Sequence, residues 1–300
     1  KEEGQFKLWH VDAATTDGAE LRGLPDINRD TGRTTWRTPD SLPQEGERGL
    51  IMIDEPNTAM DKSFLFAMYQ LLGNEARIGE WELPDGVYIA LAGNRMEDAV
   101  GLEELPAPFR ARCWIQEVRP EVNAVVNYAI EKGWDIRVIA ATRAYPEMIT
   151  DWDAESDDQS PNARAMEDCS DALTGWEKMG GLQSGLAAQF SGFIGRDAAI
   201  KVATIVKQFT DLIPVSLIVE SPSTAPMPQS IDMELSLVCA LAKCADQDNL
   251  EPIVEYVGRL RGEGRSQESA ALFRNVLISE ASKEGNTARN SHAFDEFVRR

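Results

Sequence analysis

Five consecutive apolar or small residues, Gly49-Leu50-Ile51-Met52-Ile53, run straight into two carboxylates, Asp54-Glu55. A strand that alternates apolar and polar residues is half wetted. A strand apolar at every position is expected to be buried on both faces, as in a parallel sheet covered by helices. An α/β architecture follows as the expectation. In such sheets ligands bind at the rim formed by the carboxyl ends of the strands, which is where Asp54 and Glu55 stand. Taken alone, a strand followed by a solvated acidic turn explains the run at least as well, so other parts of the chain must decide.

Two further segments follow in order. Val87-Tyr88-Ile89-Ala90-Leu91-Ala92-Gly93 is a second apolar strand, and it ends at the amide of Asn94. Leu105-Pro106-Ala107-Pro108-Phe109-Arg110-Ala111-Arg112-Cys113 comes next. In these stretches the chain resembles the AAA+ ATPases, and among them the MoxR-like branch of the helix-2-insert group. The likeness runs from about Phe6 into the C-terminal region and is tightest from Gly49 to Cys113. Each motif is unspecific by itself; the specificity lies in their order.

The resemblance implies an AAA+ α/β core, a parallel sheet flanked by helices, followed by a smaller C-terminal helical lid. It also implies roles. Asp54 and Glu55 match the Walker B pair, Asp54 serving the metal and Glu55 activating water. Asn94 matches sensor 1, and Arg112 matches the arginine finger of the L-P-x-x-hydrophobic-x-x-R stretch, with Arg110 close enough to share or take over that role. Pro161-Asn162-Ala163-Arg164 resembles the start of the sensor-2 helix, with Arg164 as the sensor arginine, although Ala163 departs from the family's habit. The implied cofactors are ATP and Mg²⁺. The implied assembly is a hexameric ring hydrolysing ATP at its subunit interfaces to remodel or assemble protein complexes, often with a partner bearing a von Willebrand factor A domain.

One element of that family is not in the sequence. A phosphate loop, G-x-x-x-x-G-K-[ST], cradles phosphates with backbone N–H groups and reaches them with its Lys. No Gly-Lys dipeptide occurs among the 300 residues, which open at Lys1 in a stretch resembling the second strand of the family's core. The expectation is a piece of a longer protein whose loop precedes Lys1. The alternative is a nucleotide-blind scaffold or interaction module derived from an AAA+ core.

Composition narrows the classes further. A net charge of -20 argues against sequence-independent binding to a nucleic-acid backbone, which relies on Lys and Arg clusters. Cys113, Cys169, Cys239 and Cys244 show no zinc spacing and read as reduced thiols of a cytoplasmic protein. His10 and His292 sit in no ligand-like cluster. No apolar run is long enough to span a bilayer, so no membrane partner is expected. Adjacent carboxylates do not make a glycosidase, whose pair flanks the scissile bond from separate elements. The Gly180-Gly181 and Gly192–Gly195 clusters do not form a dinucleotide fingerprint.

Along the chain, residues 1–149 read as the α/β unit and 150–300 as the helical one, divided at the acidic stretch Asp151–Asp158. In the first, Asp30-Thr31-Gly32 predicts a hairpin turn, matching the family's helix-2 insert. Thr58–Leu72 carries a helical apolar face, and Ala76–Leu83 reads as one arm of a hairpin that turns at Pro84-Asp85-Gly86 into the Val87 strand. Pro120 opens a helix that Gly133 closes. In the second, helices are expected over Ala163–Lys178, Ala198–Phe209, Ile231–Cys244, Leu250–Leu260 and Ser266–Ser282. Pro214–Val219 is ambiguous between helix and strand.

Overall fold

The computed structural model describes residues 5–58, 62–96, 102, 104–151, 158–180, 185–262 and 267–299. Two compact units divide the chain, Lys1–Glu117 and Val118–Arg300. The first is α/β. Its elements are β1 (Lys7–Asp12), α1 (Gly18–Arg22), β2 (Leu24–Ile27), β3 (Thr34–Arg37), β4 (Gly49–Asp54), α2 (Lys62–Leu71), β5 (Arg77–Ile78), β6 (Trp81–Glu82), β7 (Val87–Ala92) and α3 (Ala107–Arg110).

A three-stranded parallel sheet in the order β1-β4-β7 carries the apolar run as its central strand. The register sets Asp12 beside Asp54 and Asp54 beside Ala92, so the three strands end level. One face of the sheet is built from Trp9, Ile51 and Ile89, then Val11, Ile53 and Leu91. Ile51 and Ile53 are buried and share a core with Phe64, Ala67, Met68 and Leu71 of α2 and with Phe109 of α3.

The other face departs from the expectation of full burial. Along β4, residues alternate between buried and half-buried, and in the flanking strands Leu8 and Tyr88 are 66% and 65% exposed. An unbroken apolar run records a side chain's preference for burial; it does not supply the element that covers it.

At Gly49 the outer strand β1 leaves no room for a side chain. A Cβ placed there would lie 2.0 Å from the Lys7 carbonyl oxygen and 2.6 Å from the Trp9 ring. Gly49→Ala is therefore expected to push β1 away from β4 and destabilise the first unit by at least the roughly 1–3 kcal/mol typical of overpacking. Thermal unfolding followed by circular dichroism checks this; an unchanged melting curve contradicts the packing described.

The two hairpins differ from each other in outcome. β2 and β3 pair antiparallel around the Asn28–Arg33 turn, in which Gly32 takes a positive φ of 67° and the Asn28 carboxamide accepts from the N–H groups of Asp30 and Thr31. This is the predicted turn. The second hairpin is tighter than predicted: β5 pairs with β6 about Gly79-Glu80, while β7 joins the parallel sheet instead of pairing back. A positive φ of 60° at Gly79 makes that turn, and the Pro84-Asp85-Gly86 segment serves as the connection into β7.

The second unit is helical: α4 (Val122–Lys132), α5 (Ile136–Ala144), α6 (Glu147–Thr150), α7 (Ala163–Lys178), α8 (Leu186–Ile194), α9 (Arg196–Gln208), α10 (Val215–Glu220), α11 (Ile231–Cys244), α12 (Leu250–Gly262), α13 (Gln267–Glu280) and α14 (His292–Arg299), with a 3₁₀ turn at Ala288–Asn290. Residues 118–149, which the acidic stretch suggested belonged to the α/β unit, pack here: Val126, Ile139 and Met148 share one core with Met166, Leu173 and Phe190. The acidic stretch at 152–157 lies outside the described residues, and its composition does not say to which side of it a preceding helix belongs. The ambiguous Pro214–Val219 run is helical, because Pro214 stands at an N-cap, where its missing N–H costs nothing.

Gly133 closes α4 in the left-handed conformation, as expected of a helix C-terminus. Asp158 caps α9 from a distance, accepting the Arg196 N–H at 3.0 Å, and that bond holds its carboxyl below the usual range. Burial, then a hydrogen bond to Asp232, pushes the Tyr145 phenol up to about 12. Among the described residues, no helix is long and apolar enough to cross a membrane.

Candidate functional site

The level ends of β1, β4 and β7 form the rim on which the predicted residues meet. The ladder continues one residue past the strands: Ala13 N–H donates to the Asp54 carbonyl at 3.0 Å, and Glu55 N–H donates to the Ala92 carbonyl at 2.7 Å. Glu55 is thereby anchored to β7 before the chain turns away. It turns sharply, with Glu55 at a φ of +51°. For a residue with a Cβ this conformation costs roughly 1–3 kcal/mol and is held only where the surroundings over-determine it.

Those surroundings are specific. Thr58 N–H and Oγ1 both donate to the Glu55 carbonyl, at 2.9 and 2.8 Å, and Thr58 Oγ1 lies 3.4 Å from Glu55 Oε2. From the end of β7, Asn94 Nδ2 donates to Glu55 Oε1 at 3.3 Å. Asn57 Nδ2 reaches across to donate to the Asn94 carbonyl at 2.7 Å. The rim thus joins Glu55 and Asn94, residues 39 positions apart, through their side chains and through the loop between Asp54 and Thr58.

Asp54 precedes Glu55 at the end of β4, and its carboxylate Oδ2 lies 3.4 Å from His10 Nε2 of β1. Its side chain is about half exposed. Among the described residues no group of three or more His, Cys, Asp or Glu side chains is placed to enclose a metal ion. The half-exposed Asp54 carboxylate is a single oxygen donor, a kind that Mg²⁺ accepts because it usually keeps several waters and takes only one or two carboxylates from the protein.

Arg112 follows α3 and is exposed. Its Nη1 donates to the Pro108 carbonyl at 2.5 Å, and its guanidinium lies over the Tyr69 ring, 5.4 Å from the centroid. Tyr69 is in turn edge-on to Phe109 at 5.7 Å. Arg110, the competing arginine, is engaged with Glu104 at 2.5 Å. Among the described residues no carboxylate pairs with Arg112, whose guanidinium instead engages the Pro108 carbonyl and the Tyr69 ring.

The sequence-predicted residues therefore fall into three groups. Asp54, Glu55 and Asn94 come together on one rim. Arg112 belongs to the same unit but touches none of the three. Arg164 lies in the second unit, exposed in the first turn of α7, whose N-cap is Asn162: its side chain accepts from the Ala165 N–H at 3.0 Å. Sequence reasoning missed Asn57 and Thr58. The available signal was a Pro-Asn-Thr turn directly behind the carboxylate pair, residue types that bond back onto nearby backbone. No protein-family model matches the chain, and no curated protein matches it.

Proposed function

We propose that the chain works as a MoxR-like AAA+ ATPase, a cytoplasmic machine that hydrolyses ATP with Mg²⁺ at the interfaces of a hexameric ring to remodel or assemble protein complexes, with a von Willebrand factor A domain protein as the kind of partner expected. The α/β unit serves as the core and the helical unit carries the lid. The observation that carries this reading is the Asn94–Glu55 contact at the level ends of adjacent parallel strands, where Asp54 ends β4. A solvated acidic turn does not by itself call for an amide donated to its carboxylate from 39 residues away.

Each residue has a defined task. Asp54 offers an oxygen ligand to the metal–nucleotide complex. Glu55 accepts a proton from the attacking water, and Asn94 holds Glu55 and the water in place without competing as a base. Arg112 reaches a neighbouring subunit's phosphates, where charge develops in the transition state, and Arg164 contacts the terminal phosphate. Asp54 would hold Mg²⁺, whose charge would help neutralise the phosphates. The strained backbone of Glu55 supports the same assignment, since such strain concentrates at active sites.

A nucleotide-blind scaffold or interaction module built on the same core is the second reading. The coding sequence immediately upstream of Lys1 separates the two. The ATPase reading expects an in-frame G-x-x-x-x-G-K-[ST] after a short apolar strand; a stop codon there, with no such loop, sinks it.

A further inference from the structure

The geometry points to Asn57 as a positioning residue: its buried amide fixes the Gly93–Asn94 corner and so holds the Asn94 side chain against Glu55. That this contact serves hydrolysis rests on the ATPase reading; that Asn57 maintains the contact does not.

Three observations converge on it. First, Asn57 is 9% exposed although it sits in a loop, where Asn ordinarily stays in water. Second, the amide is oriented in one sense only. The Asn94 carbonyl accepts and cannot donate, so Nδ2 must face it, at 2.7 Å, and Oδ1 must face the other way. There Oδ1 is buried with no hydrogen-bond partner among the described residues. Proteins rarely leave a buried acceptor unpaired, and an apolar side chain of similar shape would avoid that penalty. The donor end must therefore be what the position requires.

Third, the corner is built around this amide. A Cβ on Gly93 would lie 2.8 Å from Asn57 Oδ1 and 3.4 Å from Pro56 Cδ, so glycine lets the strand end sit directly on the carboxamide. Asn57 is thus wedged between Gly93 on one side and the Asn94 carbonyl on the other. The Asn94–Glu55 bond that depends on this corner is already long, at 3.3 Å. A shift of a few tenths of an ångström in the Asn94 backbone takes it beyond hydrogen-bonding range.

The test uses the natural full-length protein labelled with ¹⁵N-asparagine, in which the Asn94 side-chain amide signal is identified by its loss in Asn94→Ala. Asn57→Ala removes the wedge; Gly93→Ala displaces it while keeping the amide, and serves if the first variant does not fold. Both are expected to move the Asn94 signal. Both should lower kcat by about 10²-fold, the scale of an ångström-level misplacement, with nucleotide affinity within about twofold of wild type. Asn57→Ala should lower kcat no further in an Asn94→Ala background, because the two act along one path. An unmoved Asn94 signal in a folded variant overturns the inference, as do kcat losses that multiply in the double variant. If the wild-type protein hydrolyses no ATP but the Asn94 signal moves, the ATPase reading falls and the positioning contact stands.

Discussion

Glu55→Gln is expected to lower ATP turnover by about 10²–10⁴-fold, the range of a positioned general base, and to leave nucleotide binding intact. The substitution is nearly isosteric, and the contacts around Glu55 survive it. A glutamine oxygen still accepts from Asn94 Nδ2, and the Thr58 N–H and Oγ1 bonds go to the Glu55 backbone carbonyl, which the change does not touch. What is lost is basicity alone. Phosphate release, measured beside equilibrium binding of a fluorescent nucleotide, separates the two quantities. Turnover equal to wild type removes Glu55 from the chemistry.

Arg112→Ala is expected to have the larger effect, about 10³–10⁵-fold in turnover, the scale of an arginine finger. Its structural cost is small by comparison. The contact over Tyr69 is an exposed cation–π pair worth about 0.5–1 kcal/mol, and the bond to the Pro108 carbonyl lies at the surface. A large kinetic loss with a small change in melting temperature is thus the expected pattern. Because the finger serves a neighbour, two inactive proteins should rescue each other. A subunit carrying Arg112→Ala retains Glu55, and a subunit carrying Glu55→Gln retains Arg112, so mixed rings contain complete sites. Mixing the two variants should restore part of the activity. Normal hydrolysis by Arg112→Ala at every protein concentration contradicts the assignment.

The parts of this account that were legible in the sequence share one property: they depend on local pattern. The apolar run ending at Asp54-Glu55 and the second run ending at Asn94 predicted two strands of a parallel sheet, and the register sets them side by side. Asp30-Thr31-Gly32 predicted its hairpin through turn chemistry, and the helices at Ala163–Lys178 and Ile231–Cys244 begin and end where their patterns do. What was not legible depends on partners far along the chain. Asn57 is ordinary in a Pro-Asn-Thr turn until Asn94 is brought to it by the fold. The pairing of Arg110 with Glu104 is likewise one that no spacing rule specifies. The boundary near Val118 depended on which core takes up Val126 and Ile139, and amphipathicity says only that some core must.

The central claim is that the rim of Asp54, Glu55 and Asn94 hydrolyses ATP. Its most direct test is phosphate release from ATP by the natural full-length protein, with and without Mg²⁺, run beside Glu55→Gln. The account predicts Mg²⁺-dependent release by the wild-type protein that all but disappears in the variant, while both bind nucleotide alike. Nucleotide-independent behaviour of both proteins, with no release under either condition, contradicts it and leaves the scaffold reading in its place.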